Sequence, residues 1–291
     1  MPKSNFFSRI IAGTMTWGSW GKALSTTQMS TLIQESIDLG ITTFDHADIY
    51  GNYGTEGAFG KALAQSKVSR SKIQLITKCG IQMVNERQNQ VKHYQYDAEY
   101  IIWSAERSLK ALQTEYLDLF LLHRPSPLME AAEIATAVDT LKAQGKIRAF
   151  GVSNFTPSQI ALLETLIPIS GNQVEFSLSH TDPMYDGTFD DCTMNERIAM
   201  AWSPLGGYFK SDESASKERL QPLLKQFAEK YEVNESQLLL AFILRHPVKI
   251  HPVVGTTNSK RLEESVQALS IALELQDWYL LLEASKGRRV P

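Results

Sequence analysis

The sequence predicts an α/β fold: a single (β/α)8 barrel with one extra C-terminal helix. Three observations carry that prediction. Eight short apolar runs alternate with longer segments of helical period, the pattern of parallel strands joined by crossovers. Eight such units fit into 291 residues with no low-complexity linker. One domain over residues 1–291 is therefore expected, rather than an open sheet or two domains. Ionisable residues also gather just after the strands, where barrels of this class place their chemistry.

Ile10 to Gly13 is the first strand, and the following helix sets Met29, Leu32, Ile33 and Ile37 on one face. Thr42 to Phe44 is the second strand. Glu56 to Leu63 is a short helix, weakened by Gly57 and Gly60. Ile73 to Thr77 is the third strand. A polar insertion, Gln82 to Gln95, leads to a helix aligning Ile101, Ala105, Leu109 and Leu112. Leu117 to Leu122 is the fourth strand. Ile134, Val138 and Leu141 mark a helix that stops at Gly145, and Ile147 to Val152 is the fifth strand.

Thr156-Pro157 opens a helix carrying Ile160, Leu163 and Leu166, with proline at a tolerated first-turn position. Asn172 to Phe176 and Ile198 to Trp202 are the sixth and seventh strands. Helices at Lys217–Tyr231 and Ser236–Arg245 precede the eighth, Ile250 to Val254. Leu262, Val266 and Leu269 mark the next helix, and Gln276 to Ala284 is the additional one. Gln82–Gln95 and Leu205–Glu218 are long for connectors, which marks them as functional loops.

Net charge is −3, so there is no electrostatic footprint for nucleic acid or an anionic membrane. Cys79 and Cys192 lie far apart and form no CxxC pair, so a reducing compartment is expected. No run approaches the roughly 20 apolar residues of a membrane span. The N-terminus lacks a signal-peptide pattern, and a cytoplasmic location is expected. His93, His180, His246 and His251 have no metal-ligand spacing and HExxH is absent, so no metal is expected.

The strand ends gather Asp45 to Tyr50, Lys78, His123, Ser153-Asn154 and Trp202-Ser203 at one rim. A tyrosine hydroxyl, with a pKa of about 10, is a poor acid at neutral pH. A lysine ammonium beside it lowers that value, and a carboxylate keeps the lysine charged and aimed. A histidine orients a carbonyl or assists proton transfer. Asp45, Tyr50, Lys78 and His123 thus form a tuned acid suited to reducing an aldehyde or ketone. No side chain supplies a hydride, so a nicotinamide cofactor is required. The GxGxxG fingerprint is absent, and the P-loop spacing fails at Thr55 and Ala62. Val254 to Arg261 instead follows the eighth strand and opens a helix, a common phosphate position in such barrels, with Lys260 and Arg261 as cationic partners.

FDHADIYG (44–51), ITKCG (76–80), DLFLLHRP (118–125), GKIRAFGVSNF (145–155), NQVEFS (172–177), AWSPLGG (201–207) and PVVGTTNSKRLEES (252–265) occur in this order at strand ends. Together they resemble the aldo-keto reductase superfamily over nearly the whole chain. The DHADIYG form is similar to that of a bacterial oxidoreductase branch with few assigned substrates. The resemblance implies Tyr50 as general acid, Lys78 and Asp45 as its tuning pair, and His123 as the substrate-orienting group. It implies NADPH as cofactor, with NADH possible. Gly13, Thr14 and Met15 are expected to border the cofactor, while Ser153, Asn154 and Gln173 hold the nicotinamide carboxamide.

By the same resemblance Trp202, where the family often has Tyr, stacks on the nicotinamide. Ser203, Leu205 and Gly207 line the pyrophosphate. Gly255, Thr256, Thr257 and Arg261 hold the 2′-phosphate end, with Glu264 near the adenine. Two departures stand out: Ser265 where the family often has Asn, and Gly255 where some members have Lys. Trp17 and His46 are expected to border the substrate pocket. Asp48 is read as a neighbour of the site rather than a participant.

The expected partner is a small carbonyl compound, with no nucleic acid and no membrane. The oligomeric state is not legible in the sequence. A nucleotide-sensing subunit of the same fold is the main alternative. A Schiff-base role for Lys78 is a further one, which would leave Ser153, Asn154 and Arg261 without a use.

Overall fold

A computed structural model describes residues 6–84, 87–210 and 215–291. Its strands are β1 (Ile11–Gly13), β2 (Thr43–Asp45), β3 (Gln74–Cys79), β4 (Ile81–Gln82), β5 (His93–Tyr94), β6 (Leu119–Leu122), β7 (Phe150–Ser153), β8 (Gly171–Glu175), β9 (Ile198–Trp202) and β10 (His251–Val254). All but β4 and β5 close into a parallel barrel, in which each barrel strand neighbours the next in sequence and β10 returns to β1.

The helices fill the crossovers. They are α1 (Thr26–Asp38), the single turn α2 (Tyr50–Tyr53), α3 (Thr55–Ser66), α4 (Ala98–Leu112), α5 (Ala131–Ala143), α6 (Pro157–Glu164), α7 (Thr188–Met194), α8 (Ala215–Tyr231), α9 (Glu235–Leu244), α10 (Ser259–Gln267) and α11 (Leu275–Lys286). Ser25, Thr156 and Asn234 begin α1, α6 and α9 with reciprocal capping boxes to Gln28, Gln159 and Gln237. None of the described helices is long and apolar enough to cross a membrane.

Strand side chains alternate between the barrel interior and the helix layer. Ile11, Ile76, Leu119, Leu121, Ala149, Ile198, Met200 and Val253 pack together inside, over Phe7. Two residues further along their strands come Gly13, Lys78, His123, Gly151 and Trp202. The register sets Asp45 beside Gly13, Lys78 beside Leu121, and Gln173 beside Ser153. The alternation that fills the core therefore delivers the polar set to the C-terminal mouth. Gly151 is required here, because a Cβ would come 2.6 Å from the Gly171 carbonyl.

Three local features differ from the sequence reading. The crossover between β8 and β9 contains α7, whose seven residues are too few to display a helical period. The Gln82–Gln95 insertion carries the antiparallel pair β4–β5, while residues 85 and 86 within it lie outside the described residues. Leu166 falls beyond the end of α6 and Leu269 beyond the end of α10, and both are exposed, so neither contributes to a core stripe. Part of the Leu205–Glu218 stretch, residues 211–214, also lies outside the described residues.

Candidate active site

Asp45 ends β2 and Lys78 lies near the end of β3, both turned into the mouth of the barrel. Lys78 Nζ donates to Asp45 Oδ1 at 2.8 Å, to Oδ2 at 2.7 Å and to the His46 carbonyl at 2.7 Å. Gln173 Nε2, from β8 across the barrel, donates to the same Asp45 Oδ1 at 2.8 Å. Lys78 and Asp45 are 1% and 2% exposed. At that depth an ion pair persists only when its remaining hydrogen-bonding capacity is met, and Gln173 and the His46 carbonyl meet it.

Lys78 Nζ also reaches Tyr50 Oη at 3.3 Å. Tyr50 is held by an unusual bend: Gly51, Asn52 and Tyr53 all adopt left-handed backbone, with φ of 58°, 55° and 65°. Gly51 is needed there, since a Cβ would come 2.4 Å from Thr55 Oγ1. The Trp20 ring packs 6.2 Å from Tyr50 on one side, and His123 lies edge-on at 6.1 Å on another.

Burial alone would lower the Lys78 pKa, but Asp45 and then Tyr50 reverse that and hold the ammonium above its ordinary value. Burial raises the Tyr50 phenol, and the cation of Lys78 opposes this without cancelling it. Expected to be lowered by lysine, Tyr50 is instead held above its ordinary value, because desolvation of a phenolate exceeds one ammonium's attraction. It is a fully protonated donor at neutral pH. Burial, then Lys78, Arg124 and Lys92, hold His123 well below its usual value, so its imidazole is neutral and its buried Nδ1 has no partner among the described residues.

Beside this tetrad Ser153 Oγ donates to the Gln173 carbonyl at 2.7 Å, and Asn154 Nδ2 to Ser153 Oγ at 2.7 Å. Trp202 Nε1 donates to Asn154 Oδ1 at 2.9 Å. Arg124 lies 5.2 Å over the Trp202 ring. Arg124, Asn154, Glu175, His180 and Trp202 border a cleft of about 410 Å³. A second cleft of about 260 Å³ is lined by Leu205, Gly207, Tyr208, Lys210 and Lys217, among others. Beyond β10, Asn258 Oδ1 caps α10 by accepting from the Arg261 N–H, and Arg261 itself is exposed.

This arrangement can be set against known proteins. The Aldo/keto reductase family model matches residues 9–286. The chain belongs to the aldo/keto reductase family. Oxidoreductase YdhF of Escherichia coli is 40% identical, with 100% of this chain and 97% of the relative covered. A 6-dehydroglucose reductase of Agrobacterium fabrum is 37% identical, covering 97% and 96%. An aldo-keto reductase from Klebsiella pneumoniae, crystallised with NADPH, superposes with a TM-score of 0.79 at 25% identity, covering 94% of this chain and 90% of that one. The protein is an oxidoreductase of this family.

Two pocket residues of this aldo/keto reductase are not where the sequence suggested. Trp17 is fully buried, packed against Phe44 and Phe59 at 6.2 and 6.1 Å, and donates Nε1–H to the Thr256 carbonyl at 3.1 Å. It secures the loop after β10 and does not border an open pocket. His46 is also fully buried, with Nδ1 2.8 Å from Thr14 Oγ1 and its ring 4.4 Å from Phe59. Burial and Lys78 lower its pKa to about 3, and only its carbonyl serves the tetrad. Both side chains pack against Phe59, in the helix layer and away from the mouth. Trp20, three residues after Trp17, takes the place beside Tyr50; its loop has no periodicity that would have singled it out.

The other expected cofactor residues lie at or after the C-terminal ends of β1, β9 and β10. Gly13 ends β1 beside Asp45. Thr14 is buried, its hydroxyl donating to the Asp45 carbonyl at 2.9 Å, whereas Met15 is exposed. Ser203 has a left-handed φ of 50° just beyond β9. Gly207 and Gly255 each face open space where a Cβ would project, and Thr256 and Thr257 are half-buried. Glu264 is half-buried on α10. Ser265, the departure from the family pattern, is buried and donates its hydroxyl back to the Arg261 carbonyl at 2.7 Å.

Proposed function

We propose that this protein is an NADPH-dependent carbonyl reductase that converts aldehydes or ketones to alcohols, with Tyr50 as proton donor. The observation that carries the reading is the Lys78 ammonium, fixed by both Asp45 oxygens and aimed at Tyr50 Oη. When bound, NADPH supplies the hydride that no side chain can furnish.

Ser153, Asn154, Gln173 and Trp202 would hold the nicotinamide end, and Leu205, Gly207, Thr256, Thr257 and Arg261 the phosphate end. The open backbone at Gly207 and Gly255 and the exposed guanidinium at the start of α10 fit a dinucleotide phosphate. A carbonyl oxygen placed between Tyr50 and His123 receives hydrogen bonds from both. As negative charge develops there, Tyr50 Oη releases its proton to it. Lys78 then stabilises the phenolate left behind, which is where a buried ammonium acts most strongly. Asp45 keeps Lys78 charged and in place throughout. The neutral imidazole of His123 orients the carbonyl without competing as an acid.

The likeness to a relative named 6-dehydroglucose reductase favours a hydroxylated carbonyl compound as substrate. A panel of hydroxylated and plain aldehydes, assayed with NADPH and with NADH, tests the reading. Turnover with NADPH supports it; tight NADPH binding without turnover of any carbonyl would replace it with a sensor.

A further inference from the structure

A second set of buried polar groups lies behind Tyr50 and Lys78, against helix α4. Its centre is two carboxylates, Asp48 and Glu56, 2% and 3% exposed. Facing them, α4 presents Tyr100, Ser104 and Ser108, spaced four residues apart and therefore on one face. Tyr100 Oη and Ser104 Oγ donate to Asp48 Oδ2 at 3.4 and 3.3 Å. Ser108 Oγ donates to Glu56 Oε2 at 3.0 Å, and Thr77 Oγ1 to Glu56 Oε1 at 2.6 Å. The Asp48 N–H donates to the Lys78 carbonyl at 3.0 Å.

Each carboxylate thus ties α4 to chain next to the tetrad. Asp48 lies two residues before Tyr50, and Thr77 immediately precedes Lys78. Apolar side chains would pack this layer more cheaply than two buried acids, so packing alone does not account for them.

We propose that Asp48 and Glu56 are positioning residues for carbonyl reduction, using the hydroxyl face of α4 to fix Tyr50 relative to Lys78. The kinetic part of this inference rests on the reductase reading; the geometric part does not. Ser104 and Ser108 are one helical turn apart, so the carboxylates they hold are neighbours. Burial, then Glu56, raise Asp48 to about 7, and Arg87, the Ile49 N–H and Arg107 oppose this without cancelling it. The other groups acting on Asp48, or acted on by it, are Cys79, Tyr96 and Tyr100, each raised mainly by burial and so neutral. Asp48 Oδ1 has no partner among the described residues. Burial also raises Glu56, opposed by the Thr77 and Ser108 hydroxyls and by Arg107 and Lys78. Ionising Asp48 places a charge on a buried carboxylate, one of whose oxygens has no partner among the described residues to offset it.

The test is a ¹³C-tyrosine titration of the whole protein, with the Tyr50 resonance assigned from Tyr50→Phe. Between about pH 5.5 and 9 the Tyr50 ring signal should inflect near neutrality in the wild type and not in Asp48→Asn. Over the same range kcat should fall in the wild type and stay level in Asp48→Asn, with NADPH affinity unchanged. Ser104→Ala and Ser108→Ala each lose one hydrogen bond, which should lower kcat roughly 3- to 10-fold without moving KM. These two variants carry the test if Asp48→Asn does not fold. A Tyr50 signal with no inflection, or the same inflection in both proteins, overturns the proposal, as does unchanged kcat in both serine variants. Absence of turnover in the wild type would defeat the reductase reading instead, and the titration would still decide the positioning role.

Discussion

Lys78 spends its ammonium on Asp45 and Tyr50 together: Nζ stands 2.7 Å from Asp45 Oδ2 and 3.3 Å from Tyr50 Oη. The shorter contact fixes the charge and the longer one puts it to use. Lys78→Met removes the charge and leaves Asp45 buried with Gln173 as its one side-chain donor among the described residues. Removing one partner of a buried pair costs about 3–5 kcal/mol, so its thermal midpoint should fall sharply. Asp45→Asn keeps the shape but leaves the Lys78 ammonium buried without a counter-charge, so it should lose both activity and stability. Calorimetry beside a turnover assay separates the two effects.

Asp48 makes stability depend on pH, and the sign follows from its raised value. In the unfolded chain it ionises near 3.8, in the folded protein near 7. The folded state therefore holds a proton that the unfolded state has lost, and stability falls as pH rises between those values. The difference amounts to about 4 kcal/mol at most. Asp48→Asn should gain stability relative to wild type at pH 8 compared with pH 4. Urea denaturation at the two pH values measures this, and a parallel change in both proteins would contradict it.

Trp17 and Trp20 should separate cleanly. Trp17→Phe thins a buried aromatic cluster and removes the hydrogen bond to the Thr256 carbonyl, a loss of about 1–3 kcal/mol. Its KM for a carbonyl substrate should not move. Trp20→Ala, on the open side of Tyr50, should raise that KM while leaving the thermal midpoint near wild type. Thermal melts and substrate saturation curves check both.

Arg261 is exposed, so its charge acts through solvent and is screened by salt. Arg261→Ala should raise the KM for NADPH roughly 10-fold, the scale of one charge-assisted contact. The KM for NADH should stay unchanged. Raising the ionic strength should narrow the gap between wild type and variant.

The barrel was legible because its period is redundant: each strand–helix unit repeats the signal, and Thr42–Phe44 shifts by one residue to become Thr43–Asp45. The tetrad was legible because strand ends can be counted, so Asp45, Lys78 and His123 fall at one rim once the topology is known. The bend at Gly51, Asn52 and Tyr53 was not, since only the glycine advertises left-handed backbone. The hydroxyl face of α4 was hidden as well. Ser104 and Ser108 read as neutral helix filler beside the apolar stripe of Ile101, Ala105 and Leu109. Only their carboxylate partners on another element give them meaning. Trp17, expected at the pocket, is buried instead, because side-chain direction in a loop follows from contacts, not spacing.

The central claim is that Tyr50 supplies the proton. Its most direct test is Tyr50→Phe, with single-turnover reduction of an aldehyde and NADPH binding by fluorescence measured on the same preparation. A general acid contributes about 10²- to 10⁴-fold, so a rate loss of that size with unchanged NADPH affinity is the predicted result. Reduction at near wild-type rate by Tyr50→Phe would contradict the account.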